Sequence, residues 1–159
     1  SQLILKNPFF DGDDLKYNIL KKFLNLGVRE EQIIFLEREE REEDHYRHYN
    51  KINLSLDTFP YNGVTTSFES ILMGVPVLTV NGFNFTSRCG TSINKSVGMQ
   101  DFIADNYEEY ISIAKKLRQE QDLHLKNGNN LRERALKSVL FDTKSFAKDF
   151  EKLIIDIQN

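Results

Sequence analysis

The sequence has one cysteine, Cys89, no tryptophan and three prolines among its 159 residues. A single cysteine excludes an intrachain disulfide and favours a reducing compartment, so we expect a cytoplasmic protein. No residue beside Cys89 resembles an activating base, which argues against a nucleophilic thiol. The histidines and the cysteine also lack the spacing of metal ligands, and the sequence therefore predicts no metal site.

The chain lacks a long apolar run and an excess of charge of one sign. No apolar stretch approaches the roughly 20 residues that cross a bilayer, and the N-terminus lacks the pattern of a secretory signal. The net charge of −3 provides no general positive field for nucleic acid. We therefore expect no membrane and no nucleic-acid partner, and any phosphate site must arise from local backbone geometry and a few side chains.

Short apolar runs alternate with amphipathic patterns along the whole chain. The patterns predict strands at 3–5, 32–36, 52–56 and 75–80, helices at 11–26, 65–73, 86–96, 107–119, 123–138 and 143–157, a short helix within 37–49, and a loop with a short strand at 97–104. Such alternation favours parallel strands joined by right-handed crossovers in an open α/β sheet. Without repeats or linkers we expect a single domain over 1–159, mostly helical from 105 onward. Because it opens directly into a strand, we expect the chain to be cut from a longer protein.

The segment after the third predicted strand has the features of a phosphate site. Its loop contains Pro60, Asn62 and Gly63, which favour a tight turn, and it leads directly into a helix that begins with Thr65 and Thr66. In an open α/β sheet, ligands bind beyond the carboxyl ends of the strands. The free N–H groups and the positive dipole at a helix start attract anions, and phosphate matches such a site best.

Glu69 lies one helical turn further on, on the same side as Thr65 and Thr66. Its carboxylate is placed to accept hydrogen bonds from the two vicinal hydroxyls of a ribose, which gives a nucleoside diphosphate a place for both its phosphates and its sugar. The simpler interpretation is that the two threonines cap the helix and Glu69 complements the helix dipole. The residues alone leave both interpretations open.

The stretch LDTFPYNGVTTSFESILMGVPVLTV at residues 56–80, followed by Ser87, Arg88 and Gly90, resembles the C-terminal catalytic lobe of the protein O-GlcNAc transferases. The SPINDLY-type protein fucosyltransferases share this stretch, and weaker similarity on both flanks covers nearly the whole chain. The resemblance implies one lobe of a GT-B type glycosyltransferase, with a Rossmann-like parallel sheet flanked by helices. In that family the C-terminal lobe binds the nucleotide sugar.

The resemblance also implies roles for individual residues of this stretch. Thr65 and Thr66 would hold the diphosphate and Glu69 the ribose. Asn62 and Gly63, in the loop before the helix, belong to the same predicted nucleotide-sugar site.

Further site residues are implied outside the central stretch. The segment 42–48 is similar to a family loop whose histidine contacts the nucleotide, so His45 and, less directly, His48 become candidates for binding. Lys6 follows a strand and is a candidate for the phosphates. The alternative for each of these residues is an ordinary solvent-exposed side chain that binds no ligand. Val64 departs from the O-GlcNAc transferases that carry histidine there, so one expected contact is lost.

The resemblance implies an inverting, metal-independent enzyme that transfers GlcNAc from UDP-GlcNAc to Ser or Thr hydroxyls, with no cofactor beyond its donor. The catalytic histidine and the groove for the protein acceptor belong to an N-terminal lobe outside this chain. We therefore expect no catalytic residue here and an inactive fragment. GDP-fucose or another donor, and a stand-alone nucleotide-binding or interaction module, remain as alternatives.

Overall fold

The computed structural model describes residues 1–10, 12–119 and 130–158. The chain divides into two compact units, an N-terminal unit of Ser1–Arg47 and a C-terminal unit of His48–Asn159. Each is described by itself. The prediction of a single domain over the whole chain stays a prediction.

The N-terminal unit pairs two short parallel strands with helices. Its elements are β1 (Leu3–Lys6), α1 (Asp13–Asn25), a 3-10 turn (Glu30–Gln32), β2 (Ile33–Leu36) and α2 (Glu42–Arg47). The strands pair in register from Leu3 opposite Ile33 to Lys6 opposite Leu36. Phe10 is buried and meets the ring of Phe35 edge-on at 5.1 Å. This contact fixes the chain leaving β1 against the second strand.

The C-terminal unit contains a three-stranded parallel sheet. Its elements are a 3-10 turn (His48–Lys51), β3 (Ser55–Leu56), α3 (Thr65–Leu72), β4 (Val77–Val80), α4 (Cys89–Ser96), a 3-10 turn (Gln100–Phe102), β5 (Ile103–Ala104), α5 (Tyr107–Gln119), α6 (130–136 in the described part) and α7 (Thr143–Gln158). The strand order is β3-β4-β5. All three therefore end at the same edge of the sheet.

The core of the C-terminal unit forms around the central strand. All four residues of β4 are buried, as expected for a parallel strand covered on both faces. The main cluster of buried side chains comprises Ile71, Val77, Ile93, Val97, Met99, Leu131 and Ala135. It thus joins α3, β4, α4 and α6 into one packed body.

The α/β class with parallel strands and flanking helices is confirmed. α5 has the predicted bounds, 107–119. The third strand was predicted at 52–56 but contains only Ser55 and Leu56. The register sets Ser55 opposite Val77, so an extended strand would face residues 74–76. There the turn at Gly74, which has a φ of +79°, ends α3, and β4 begins only at Val77.

Two predicted helices also differ from the structure. The helix expected from residue 86 begins at Cys89, because Asn84 and Ser87 hold the preceding residues in a hydrogen-bonded loop. Of the helix predicted at 123–138, residues 130–136 are helical and 123–129 lie outside the described residues. No helix in the described part of the chain is long and apolar enough to cross a membrane.

Candidate functional site

The loop between β3 and α3 is organised by the carboxylate of Asp57. Its Oδ1 accepts hydrogen bonds from the backbone N–H of Thr58 at 3.0 Å and of Gly63 at 2.8 Å. Its Oδ2 accepts one from Thr79 Oγ1, on β4, at 2.7 Å. The two ends of the loop are therefore held on one side chain, and that side chain is fixed to the central strand.

Two glycines permit this close packing. A Cβ on Gly63 would lie 2.5 Å from Thr66 Oγ1 and 3.1 Å from Ser67 Oγ. A Cβ on Gly90, at the start of α4, would overlap Asp57 Oδ2 and Thr79 Oγ1. The backbone at both places approaches polar side chains more closely than any residue with a side chain would allow.

Asn62 ties the loop to the segment before α4. Its side-chain amide donates to the carbonyl of Thr58 at 2.8 Å, and its Oδ1 accepts from the N–H of Gly90 at 3.2 Å. Its backbone N–H donates to the carbonyl of Thr86 at 3.0 Å. The side chain is only 1% exposed, so it lies inside the protein. Its predicted contact with a ligand stays a prediction.

The start of α3 carries two exposed threonines. The N-cap residue is Val64, and no side-chain hydrogen bond caps the helix among the residues that the structure describes. Its backbone ladder begins with Phe68 N–H donating to Val64 O, which leaves the N–H groups of the first turn without a partner inside the helix. Thr65 and Thr66 are exposed, and neither hydroxyl donates a hydrogen bond within the described residues. The simpler interpretation, that these threonines cap α3, therefore does not apply.

Glu69 is half-buried one turn further along α3. Its Oε2 accepts a hydrogen bond from Tyr49 Oη at 3.2 Å. Tyr49 lies in the 3-10 turn that also contains His48, which is half-buried. The structure thus places Glu69 beside the turn of His48, and Thr65 and Thr66 on the same short helix as Glu69.

Lys6 and His45 belong to the N-terminal unit, where the structure brings them together. Lys6 Nζ lies 2.7 Å from His45 Nδ1, and both side chains are half-buried. An ammonium group has only donors, so a hydrogen bond at this distance requires a lone pair on Nδ1. The pair joins the end of β1 to α2.

Burial raises the pKa of Asp57 above its usual value of 3.8, while hydrogen bonds from Thr79, Gly63 and Thr58 oppose the shift. Tyr110, on α5, donates its hydroxyl to the carbonyl oxygen of Asp57 at 3.4 Å. Burial and the charge of Asp57 raise the pKa of Tyr110 from 10.0 to about 12. Tyr110 therefore remains a neutral donor at physiological pH.

Sequence reasoning missed the organising roles of Asp57, Thr79, Gly90 and Tyr110. One signal was available, since Asp57 directly follows an apolar strand and precedes a turn with glycine. The partners are far away in the sequence and have no recognisable spacing. Among residues 1–10, 12–119 and 130–158, no group of three or more His, Cys, Asp or Glu side chains is arranged to hold a metal ion.

An uncapped helix start after a tight loop, at the carboxyl edge of a parallel sheet, is typical of α/β proteins that bind phosphorylated ligands. The chain belongs to glycosyl transferase family 41, whose family model matches residues 6–150. The predicted resemblance to the O-GlcNAc transferases and SPINDLY-type enzymes is thereby confirmed.

Relatives and a solved structure agree with this assignment. The probable UDP-N-acetylglucosamine--peptide N-acetylglucosaminyltransferase SPINDLY of Solanum lycopersicum is 33% identical over 153 residues, which are 96% of this chain and 16% of that protein. The UDP-N-acetylglucosamine--peptide N-acetylglucosaminyltransferase of Caenorhabditis elegans is 31% identical over 155 residues, 95% of this chain and 13% of its own length. A mutant of the Thermobaculum terrenum O-GlcNAc transferase superposes with a TM-score of 0.88 at 29% identity, over 96% of this chain and 29% of that one. The fold is accordingly that of part of a GT-B glycosyltransferase.

Proposed function

We propose that this chain binds the nucleotide-sugar donor of a protein O-glycosyltransferase, and that the donor is UDP-GlcNAc. The observation that carries the proposal is the start of α3, where two exposed threonines lie beside backbone N–H groups that have no partner within the helix. The positive end of the helix dipole adds to the attraction for an anion. The names of the relatives, which specify UDP-N-acetylglucosamine and a peptide, support the choice of donor and acceptor.

In the proposed reaction the acceptor Ser or Thr oxygen forms a bond to C1 of the sugar. The bond between C1 and the β-phosphate oxygen breaks, and the diphosphate leaves with the electron pair. The proton of the acceptor hydroxyl passes to a general base, a role that we assign to none of the described residues. Thr65, Thr66 and the first N–H groups of α3 stabilise the charge that develops on the leaving diphosphate. Fixed donors of this kind act without metal and lower the barrier by a few kcal/mol each.

The remaining candidates bind other parts of the donor or its phosphates. Glu69 accepts hydrogen bonds from the ribose hydroxyls, with its orientation held by Tyr49. The Lys6–His45 pair offers a cation and an imidazole for the nucleotide and its phosphates, and His48 is a second imidazole on the turn beside Glu69. Asn62 and Gly63 shape the loop that leads to the threonines.

Calorimetric titration of the full-length protein with UDP and with GDP tests the donor. We expect micromolar binding of UDP with at least about tenfold preference over GDP, equal to about 1.4 kcal/mol. The Thr66→Ala variant should bind UDP more weakly and turn over roughly 10²-fold more slowly. Thr143→Ala, which removes an exposed threonine at the start of α7, is the matched control.

Each result separates the possible functions of the chain. Preference for GDP would indicate that the donor is GDP-fucose or a related sugar nucleotide. Binding of UDP without transfer to any protein would indicate a binding module. Unchanged turnover in Thr66→Ala would show that the diphosphate does not bind at the start of α3.

A further inference from the structure

The loop that follows β4 displays two phenylalanines almost completely to solvent. Phe83 is 82% exposed and Phe85 is 83% exposed. Burying a phenylalanine side chain stabilises a protein by about 1.5–3 kcal/mol relative to leaving it exposed. Neighbouring exposed aromatic residues on a loop are therefore a sign of an interaction surface. We call Phe83 and Phe85 the phenylalanine platform.

The backbone under the phenylalanine platform is firmly held. Ser87 Oγ accepts hydrogen bonds from the N–H of Phe83 at 3.1 Å and of Asn84 at 3.2 Å. Asn84 Oδ1 accepts from the N–H of Ser87 at 3.0 Å, and Ser87 itself is fully buried. The hydrogen bonds leave the two side chains projecting from a fixed loop. Because the loop is already ordered, binding there costs little conformational entropy.

The platform lies at the same edge of the sheet as the proposed donor site. β3 and β4 are parallel neighbours, so the loops that follow them emerge side by side. The N–H of Asn62 donates to the carbonyl of Thr86 at 3.0 Å, which joins the two loops directly. The platform and the Gly63 turn that leads into α3 are thus parts of one bonded arrangement.

Neither of the two joined loops contains a charged side chain. Residues 58–64 and 81–87 contain no charged side chain, although 28% of the whole chain is charged. Tyr61, in the first of these loops, is 71% exposed. The loops therefore expose three aromatic side chains, Tyr61, Phe83 and Phe85, and no charged one, which suits aliphatic or aromatic side chains of a partner.

We propose that Phe83 and Phe85 bind apolar side chains that flank the acceptor hydroxyl of an extended polypeptide. This inference rests on the proposed function, in which the acceptor oxygen must come within about 3–3.5 Å of the sugar carbon. The residues on either side of that oxygen then cross the surface that borders the donor site. The border that the C-terminal unit provides is the aromatic, uncharged loop of the platform. The platform selects acceptors with apolar flanks.

The test uses the full-length protein with the double change Phe83→Ser and Phe85→Ser. Two synthetic peptides carry the same central Ser, one with Leu and Ile on both sides and one with Gln and Glu. The double variant should raise KM for the apolar peptide by about tenfold, or about 1.4 kcal/mol, and leave KM for the polar peptide unchanged. The affinity for UDP and the KM for the donor should not change. Tyr17→Ser, which removes a 63% exposed aromatic from α1, is the control, and Phe83→Tyr with Phe85→Tyr should retain the wild-type preference.

Other outcomes would overturn the inference. Equal effects on both peptides, or none, would show that the platform does not select acceptors. Weaker donor binding would assign the phenylalanines to the nucleotide sugar, and a lower melting temperature with unchanged peptide KM would assign them to a contact within the full-length protein. Peptide binding is also measured by fluorescence anisotropy without donor. Failure of the wild-type protein to bind either nucleotide would contradict the proposed function. The anisotropy measurement would still show whether the phenylalanine platform binds peptides with apolar flanks.

Discussion

Thr79 and Asp57 join the central strand to the end of its neighbour through a hydrogen bond of 2.7 Å between Oγ1 and Oδ2. The other oxygen of Asp57 holds Thr58 and Gly63, so the loop of the proposed donor site depends on one carboxylate. The conformation of that carboxylate depends in turn on Thr79, which is fully buried.

Replacing Thr79 by Val is expected to destabilise the protein. Valine has nearly the shape of threonine but no hydroxyl, so Asp57 Oδ2 loses its donor while it remains half-buried. Leaving a buried charged acceptor without its partner costs about 1–3 kcal/mol. Urea unfolding should show a lower midpoint for Thr79→Val, with Thr79→Ser close to the wild type because it keeps the hydroxyl. Equal midpoints for Val and Ser would contradict a stabilising role for this bond.

The raised pKa of Asp57 predicts how stability depends on acid. A carboxyl group whose pKa is higher in the folded state binds its proton more tightly there, so folding is favoured as the pH falls from above that pKa toward 3.8. In Asp57→Asn this contribution is absent. The unfolding free energy of the wild type should therefore increase relative to that of Asp57→Asn as the pH falls through that window. A difference that stays constant across the window would mean that the pKa of Asp57 is not raised.

The raised pKa of Tyr110 predicts how the stability of the fold changes at alkaline pH. Because its pKa is about 12 in the folded protein and 10.0 without the fold, the folded state retains a proton that the unfolded chain has already lost. The contribution of Tyr110 to stability is fully present below pH 10.0 and is lost as the pH rises through about 12. Tyr110→Phe should remove this loss, as measured by thermal unfolding at several alkaline pH values. Tyr17→Phe, on α1, should unfold in parallel with the wild type.

Elements with a strong local pattern could be predicted from the sequence, whereas the organisation of the site could not. α5 has the predicted bounds because its apolar spacing is helical throughout. The apolar run predicted as a strand at 75–80 does form one, β4, although it begins only at Val77. The hydrogen bond between Asp57 and Thr79 spans 22 residues of sequence and leaves no periodic signal. For the same reason, the sequence does not show that the side chain of Asn62 bonds within the fold to Thr58 and Gly90.

Gly90 is expected to be intolerant of a side chain. A Cβ there would overlap both Asp57 Oδ2 and Thr79 Oγ1, and these atoms are fixed by their own hydrogen bond. Gly90→Ala should destabilise the protein by about 1–3 kcal/mol, as is typical of overpacking, with a lower melting temperature. Gly12→Ala is the matched control, because a Cβ at Gly12 meets no atom within 4 Å. A loss of stability of the same size in both variants would mean that overlap at Gly90 is not the cause.

Tyr49 should affect nucleotide binding through Glu69. Its hydroxyl donates to Oε2 at 3.2 Å, and Tyr49→Phe removes that donor while keeping the ring. If Glu69 accepts hydrogen bonds from the ribose, losing its orientation should weaken UDP binding by about 0.5–1.5 kcal/mol, the usual net contribution of one hydrogen bond.

Calorimetry with UDP and with 2′-deoxy-UDP separates this effect from a general loss of structure. Wild type should prefer UDP, and Glu69→Gln should reduce the preference. Tyr49→Phe should have less effect in the Glu69→Gln background, because the two residues act as one unit. Additive losses in the double variant, or equal losses for both nucleotides, would mean that Tyr49 does not act on the ribose through Glu69.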